Sequence, residues 1–231
     1  MAYGKLKIFL EGIVGAGVVA TMMILSPLVR RWYRRWGASD AEVTRMLPGD
    51  EFVPHPKSQI NCAITINASV AQVWPWFVQL GCQRGGWYSY DLLDNGGAPS
   101  ADRIIPEYQH LRVGEVVKAV PNGSFGFPVA AILPFKALVL AGTMDTRSGN
   151  PSYPNDPKLE AYFSGDQTFF MESLGAERTR LTYRMRTDWN ASPLNNLIYV
   201  GILEPISFSM GRKMLLNLKQ RAESFANRVP G

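Results

Sequence analysis

The stretch RGGWYSYDLLDN (residues 84–95) sets Trp87, Tyr88, Tyr90 and Asp91 directly behind Gly85 and Gly86. Two phenol hydroxyls and a carboxylate so close together are able to hold a ligand's polar end or to move a proton. The same residues have a plainer reading. Aromatic rings usually fill cores, and Asp91 then caps a helix or pairs with Arg84 or Arg103. A second group, Asp102, Arg103 and Glu107 in SADRIIPEYQ, offers either acid–base chemistry or a loop pinned by charge-assisted hydrogen bonds. Tyr88, Tyr90, Asp91 and Arg103 are therefore the candidate catalytic residues.

Little else in the chain competes for chemistry. Cys62 and Cys82 are too few for a disulfide framework or a zinc cage. His55 and His110 stand far apart with no metal-ligand spacing, so no metal and no cofactor is expected. No Ser-His-Asp or Cys-His arrangement, GxGxxG or P-loop is present. The formal charge of +5 owes much to Arg30, Arg31, Arg34 and Arg35. With basic residues gathered there and no aromatic-basic reading surface, nucleic acid is not an expected partner.

The elements that must position these groups begin with an apolar run. Residues 8–29 read IFLEGIVGAGVVATMMILSPLV, with one charge, Glu11, near the start. At ~1.5 Å per residue the run reaches across the roughly 30 Å hydrocarbon layer of a bilayer. It exceeds the roughly 7–15 residues of a signal-peptide core, and arginines rather than small residues follow it. A transmembrane helix is expected. The arginine cluster outweighs Lys5 and Lys7, which places the folded part in the cytoplasm. Trp32, Tyr33 and Trp36 suit the interfacial belt, and the basic cluster attracts anionic lipid. Gly12, Ala16 and Ala20 share a helix face that permits a homodimer through the span, although small residues are common in such spans.

The organisation read from the sequence is an anchor with its basic and aromatic flank over 1–36, a proline-bearing polar linker over 37–57, and a folded domain over 58–231. QINCAITINA alternates as a half-buried strand with Cys62 on its apolar side. SVAQVWPWFVQLG follows as a helix capped by Ser69 and containing Pro75. A second short helix is expected to begin after Gly85 and Gly86. Short strands come next, and QTFFMESL and TRLTYRMRTDW form a hairpin across GAER. In its second strand Leu181, Tyr183 and Met185 face one way and Arg184 and Arg186 the other, which reads as a solvated charged face. From Leu194 to Asn227 the pattern is helical, with a break near Pro205. Met210, Met214, Leu218, Ala222 and Phe225 form one stripe. Strands segregated from one long helix mean an α+β domain. Methionines and aromatics on both walls suit an adaptable apolar pocket. Residues 145–165 read as a loop that is either a lid or a surface insertion.

Five segments, VWPWFVQLG, RGGWYSYDLLDN, SADRIIPEYQHLRVGE, RTRLTYRMR and LEPISFSMGRKMLLNLKQRAE, together resemble the START/Bet v 1-like (SRPBCC) superfamily over roughly residues 58–228. Within it they resemble a bacterial polyketide cyclase/lipid-transport-like subgroup, some of whose members carry a hydrophobic N-terminal segment. The resemblance implies a helix-grip fold. In that fold a curved antiparallel sheet wraps around a long C-terminal helix, and two short helices after the first strand cradle it. It also implies a cavity for lipids, polyketides, sterols or similar molecules. Expected ligand contacts are Trp87, Tyr88, Tyr90, Phe169, Met171, Tyr183, Met185, Met210, Met214 and Leu218. The leading expectation is membrane-anchored binding or transport of a hydrophobic small molecule or lipid. One alternative is a cyclase/aromatase-type enzyme acting on a polyketide-like substrate. Another is a non-catalytic interaction module with a filled core.

Overall fold

A computed structural model describes residues 2–152 and 159–228. Alternating apolar residues form the strands β1 (Ser58–Ile66), β2 (Val116–Lys118), β3 (Gly126–Leu133), β4 (Ala137–Asp145), β5 (Pro151–Ser152), β6 (Tyr162–Ser173) and β7 (Thr179–Trp189). They make one antiparallel sheet in the order β1-β7-β6-β4-β3-β2, with β5 added to β4. Register fixes which side chains share a face. Ile60 lies opposite Met185 and Cys62 opposite Tyr183. Tyr183 in turn faces Phe169, and Phe169 faces Leu138. These residues line the concave side. The opposite side carries Arg184, Arg186, Asp166 and Thr168, which are also mutual partners in register.

The helices are α1 (Ala2–Tyr33), α2 (Asp40–Thr44), α3 (Val70–Val78), α4 (Asp91–Asp94), α5 (Pro193–Asn196) and α6 (Glu204–Ala226). Ser69 caps α3 in a reciprocal capping box with Gln72, and Ser39 does the same for α2 with Glu42. α6 lies in the concave face. Met214, Leu218 and Ala222, four residues apart, are buried there with Phe208 and Leu215 in one cluster that includes Ile60, Phe77 and Phe169. This is the helix-grip arrangement, and it is α+β. The expected break near Pro205 is instead a π-helical turn, Leu197–Leu203, running straight into α6. Proline lacks an N–H and its ring crowds the carbonyl of the preceding turn. A widened turn just upstream relieves both.

Two local readings are corrected. The face of β7 bearing Arg184 and Arg186 is not solvated: Arg184 is 1% exposed. Residues 40–54 lie across it. Arg184 Nε donates to Asn61 Oδ1 (2.8 Å), and its two terminal nitrogens donate to the carbonyls of Glu42, Val43 and Arg45 and to Asp50 Oδ2 (2.7 Å). Arg186 donates to the carbonyls of Asp50 and Pro54. Alternation reports which face a residue occupies, not whether another segment covers that face. The stretch read as a linker is thus held to the sheet, with Leu47 and Val53 buried. The second correction concerns the residues after Gly86. They are not helical until Asp91, and Tyr88 takes φ +56°, a left-handed conformation rare for a non-glycine residue.

α1 is long and apolar enough to cross a membrane. It nevertheless touches the domain along one face. Ser26 and Tyr33 are buried, and Tyr33 stacks on Phe208 of α6 with ring centroids 5.2 Å apart. Gly12 packs on Leu92 of α4, so one of the small residues read as a dimer face is used within the chain.

Candidate functional site

Between α6 and the concave sheet lie two adjoining lobes of about 290 Å³ and 340 Å³, with Phe127, Gln167, Met185 and Ser207 lining both. The inner lobe is walled by Trp87, Tyr183, Met210 and Met214, with Asp94 and Ser89 at one side. Close approach of helix and sheet here depends on Gly211, where a Cβ would stand 2.9 Å from the Tyr183 ring. Tyr183 Oη donates to Gln167 Oε1 at 3.1 Å. Trp87 Nε1 donates to the Lys118 carbonyl at 3.0 Å, which fixes the indole edge-on to Phe127. The wall is therefore mostly apolar with a few oriented polar groups, as small-molecule sites are.

The outer lobe is closed by Phe163, Tyr199 and Leu203. Tyr199 comes from the π-helical turn and stacks on both Phe163 (5.1 Å) and Trp189 (4.8 Å). Glu204 also lines this lobe and is 2% exposed. Its carboxylate accepts from Arg30 Nε and Nη2 (2.9 Å each), Tyr33 Oη (2.9 Å) and Ser58 Oγ (2.6 Å). Burial alone would raise its pKa. The hydrogen bonds from Arg30, Ser58 and Tyr33 outweigh burial and hold it below the usual range.

Asp94 is the group with free chemistry. Its Oδ1 is buried without a hydrogen-bond partner. Burial first, and the neighbouring Asp91 second, push its carboxyl up to about 7. Such a group takes or gives a proton near neutrality. Cys62, on the same concave face, is pushed up to about 12 by burial and is inert. Burial also raises the Tyr183 phenol. On the other side of the sheet both Asp166 carboxyl oxygens are buried without a partner, and burial raises that group to about 8.

Of the expected ligand contacts, Trp87, Tyr183, Met185, Met210 and Met214 come together at the inner lobe. Phe169, Met171 and Leu218 belong to the buried cluster behind it, with Phe169 packed on Phe77 and Tyr183. The four catalytic candidates are elsewhere. Tyr88 is fully buried; its Oη accepts from Gln79 Nε2 (2.6 Å) and its carbonyl from Asn217 (2.8 Å). Burial pushes its phenol up to about 12. Asp91 accepts from Ser100 Oγ (2.6 Å) and Ser100 N (3.0 Å), pairing with neither Arg84 nor Arg103. Tyr90 packs against Gly15 of α1. Tyr88, Asp91 and Arg103 instead border a wide groove of about 890 Å³ between the start of α1 and the end of α6. Asp102, Arg103 and Glu107 form no ion pair with one another. Gln79 pins that loop, donating to the Arg103 carbonyl and accepting from Ile105 N.

Asp94, Gln167, Glu204 and Ser207 were not singled out from the sequence. Gln167 was accessible to the alternation that places Phe169 on the concave face, two residues away. Glu204 lies inside the quoted LEPISFSM segment but carried no spacing signal.

No family model and no curated protein matches the chain. Solved structures that resemble it are distant. A Helicobacter pylori hypothetical protein is 12% identical with a TM-score of 0.44, covering 77% of this chain and 95% of its own. A Mesorhizobium loti protein is 12% identical with a TM-score of 0.41, over 75% and 100%. The Zhui aromatase/cyclase of a Streptomyces strain is 14% identical with a TM-score of 0.34, over 75% and 98%. The sheet, the helix it grips and the cavity between them define the class of protein.

Proposed function

We propose that this is a membrane-attached helix-grip protein of the START/Bet v 1-like kind that binds a hydrophobic small molecule or lipid between α6 and the sheet. The single observation that carries the reading is the two-lobed cavity, apolar on both walls and furnished with a few polar groups, the hydrogen-bonded pair Tyr183–Gln167, Ser207 and Asp94. Attachment is through α1, with the domain on the cytoplasmic side according to the flanking arginines. The sequence's single-pass reading of α1 is one way to make that attachment. Native mass spectrometry of the full chain, with organic extraction of what co-purifies, tests the proposal. An apolar molecule is expected, and Ser207→Trp, which fills space in both lobes, is expected to lower its occupancy at least tenfold. A protein that stays empty when offered lipids and aromatic polyketides refutes it.

A second reading is an aromatase/cyclase-like enzyme, favoured by one observation: the Asp94 carboxyl at the wall, whose Oδ1 has no hydrogen-bond partner, poised to exchange a proton near neutral pH. In that reading Asp94 replaces Tyr88, Tyr90, Asp91 and Arg103 as the acid–base group. Conversion of a poly-β-keto probe that disappears in Asp94→Asn, with binding retained, supports it. Equal turnover in the two proteins removes it.

A further inference from the structure

α1 forms part of the domain's wall. The residues it turns inward, Gly12, Gly15, Ser26 and Tyr33, recur at helical spacing, and all are buried. A Cβ at Gly12 would stand 2.3 Å from Leu92, and one at Gly15 2.6 Å from the Tyr90 ring, so that end of the contact needs glycine. The other end is locked by Ser26 on Tyr33 (3.0 Å) and Arg30 on Glu204 (2.9 Å). α1 runs antiparallel to α6. Its last turn meets Glu204 and Phe208 at the start of α6, while Lys7 and Glu11 share a groove with Asn217 and Arg221 near the end. Its outward face remains apolar and bare, with Ile24 77% and Leu28 83% exposed.

A helix held this way cannot cross a bilayer without dragging its neighbours in. Lys213 and Arg221 of α6 would enter hydrocarbon, where charged side chains and open sheet edges are strongly disfavoured. We infer that the docked α1 lies in the plane of the membrane, its outward face sunk at the boundary between headgroups and acyl chains of one anionic leaflet. Two features beyond the bare helix point to lipid as the occupant. Exposed leucines flank it at both ends: Leu92 and Leu93 of α4 beside Gly12, and Leu194, Leu197 and Leu203 around the π-helical turn that α1 also touches. At its rim the wide groove carries Lys7, Arg103, Lys213, Arg221 and Arg228 against Glu11, Asp91 and Asp102, and Lys7, Arg103, Lys213 and Arg228 form no ion pair with a carboxylate among the described residues. Cations beside an apolar face are what an interfacial helix presents to anionic headgroups. Leu203 also lines the outer lobe, which sets the cavity next to the leaflet. The inference rests on the proposed membrane attachment but not on the cavity's having a ligand.

The test uses the full chain in sealed vesicles containing phosphatidylglycerol. Lys5→Cys, ahead of the apolar run, and Glu177→Cys, in the β6–β7 turn, are each treated with a membrane-impermeant maleimide. The native cysteines are buried. An in-plane helix gives the same outcome at both positions: both label, or both are protected until the vesicles are opened. Labelling from opposite sides means that α1 crosses, and overturns the inference while leaving attachment intact. Depth supplies an independent readout. A fluorophore on Val18→Cys and one on Leu28→Cys should be quenched equally by shallow lipid-borne quenchers. Deeper quenching at Val18 than at Leu28 overturns the in-plane placement. A chain that fails to sediment with the vesicles overturns the attachment itself.

Discussion

Replacing Arg30 by methionine probes the joint between α1 and the cavity. The variant removes both guanidinium hydrogen bonds from Glu204 and leaves a carboxylate, 2% exposed, held only by the hydroxyls of Tyr33 and Ser58. Arg34 stands at the 4.0 Å limit of an ion pair and compensates little. Breaking a fully buried ion pair by deleting one partner costs about 3–5 kcal/mol. Arg30's side chain is 32% exposed, so water screens part of the interaction. We therefore expect a loss of about 2–3 kcal/mol at pH 7. The residual carboxylate is the cause of that loss, so adding Glu204→Gln to Arg30→Met should restore about 1 kcal/mol or more rather than subtract further. The pH dependence has a defined direction. Glu204's lowered pKa contributes stability that is present above the unfolded carboxylate's pKa and is lost as pH falls through the folded value. In Arg30→Met that acid-side loss should shrink. Urea unfolding of the full chain in mild detergent, followed by tryptophan fluorescence at several pH values, measures all three effects. An Arg30→Met cost within about 0.5 kcal/mol, additive with Glu204→Gln, would refute the buried-network reasoning and reduce the contact to an ordinary surface pair.

Two further outcomes follow from the convex side of the sheet. Arg184→Met strands the carbonyls of Glu42, Val43 and Arg45 under residues 40–54 and should cost about 3–5 kcal/mol; limited proteolysis should then cut first within 40–54, and unchanged cleavage sites would argue against the clamp. Asp166, raised to about 8, binds its proton in the folded chain while the unfolded chain has already lost it, so its contribution to stability is full below about pH 4 and is lost as pH rises to about 8. Asp166→Asn should therefore gain on the order of 2–4 kcal/mol at pH 8 and little at pH 4, a difference that paired urea titrations detect; equal gains at both pH values would contradict it.

The α+β class was legible because its two periodicities are clean, and the helix-grip arrangement was implied by the resemblance of the quoted segments. Leu181, Tyr183 and Met185 alternate, Met214, Leu218 and Ala222 recur every four residues, and each pattern names the face that must be buried. The cavity wall followed in part, since Trp87, Tyr183, Met185, Met210 and Met214 sit where those patterns meet. Arg184 shows where periodicity stops. A charged residue at an outward position carries no mark of whether a distant segment will cover it. Only the carbonyls of Glu42, Val43 and Arg45, paired with Arg184 in the fold, reveal that it is a clamp. The aromatic run from Trp87 to Tyr90 divides between core and cavity for a different reason. One left-handed residue, Tyr88, turns neighbours to different sides, so Trp87 reaches the cavity while Tyr90 reaches α1.

Glu204 joins these observations. Its position at the start of α6 places one carboxylate on the cavity wall and, through Arg30 and Tyr33, on the end of the apolar helix. A surface tether would have no need of a buried carboxylate inside the domain, and a cavity alone would have no need of an arginine from residue 30. The two requirements meet only if α1 is seated on the domain while the cavity is formed. Glycines 12 and 15, spaced for close approach, keep the same helix seated at its far end. Cavity and apolar helix are thus one packed unit, and loosening either end of α1 should be felt at the outer lobe.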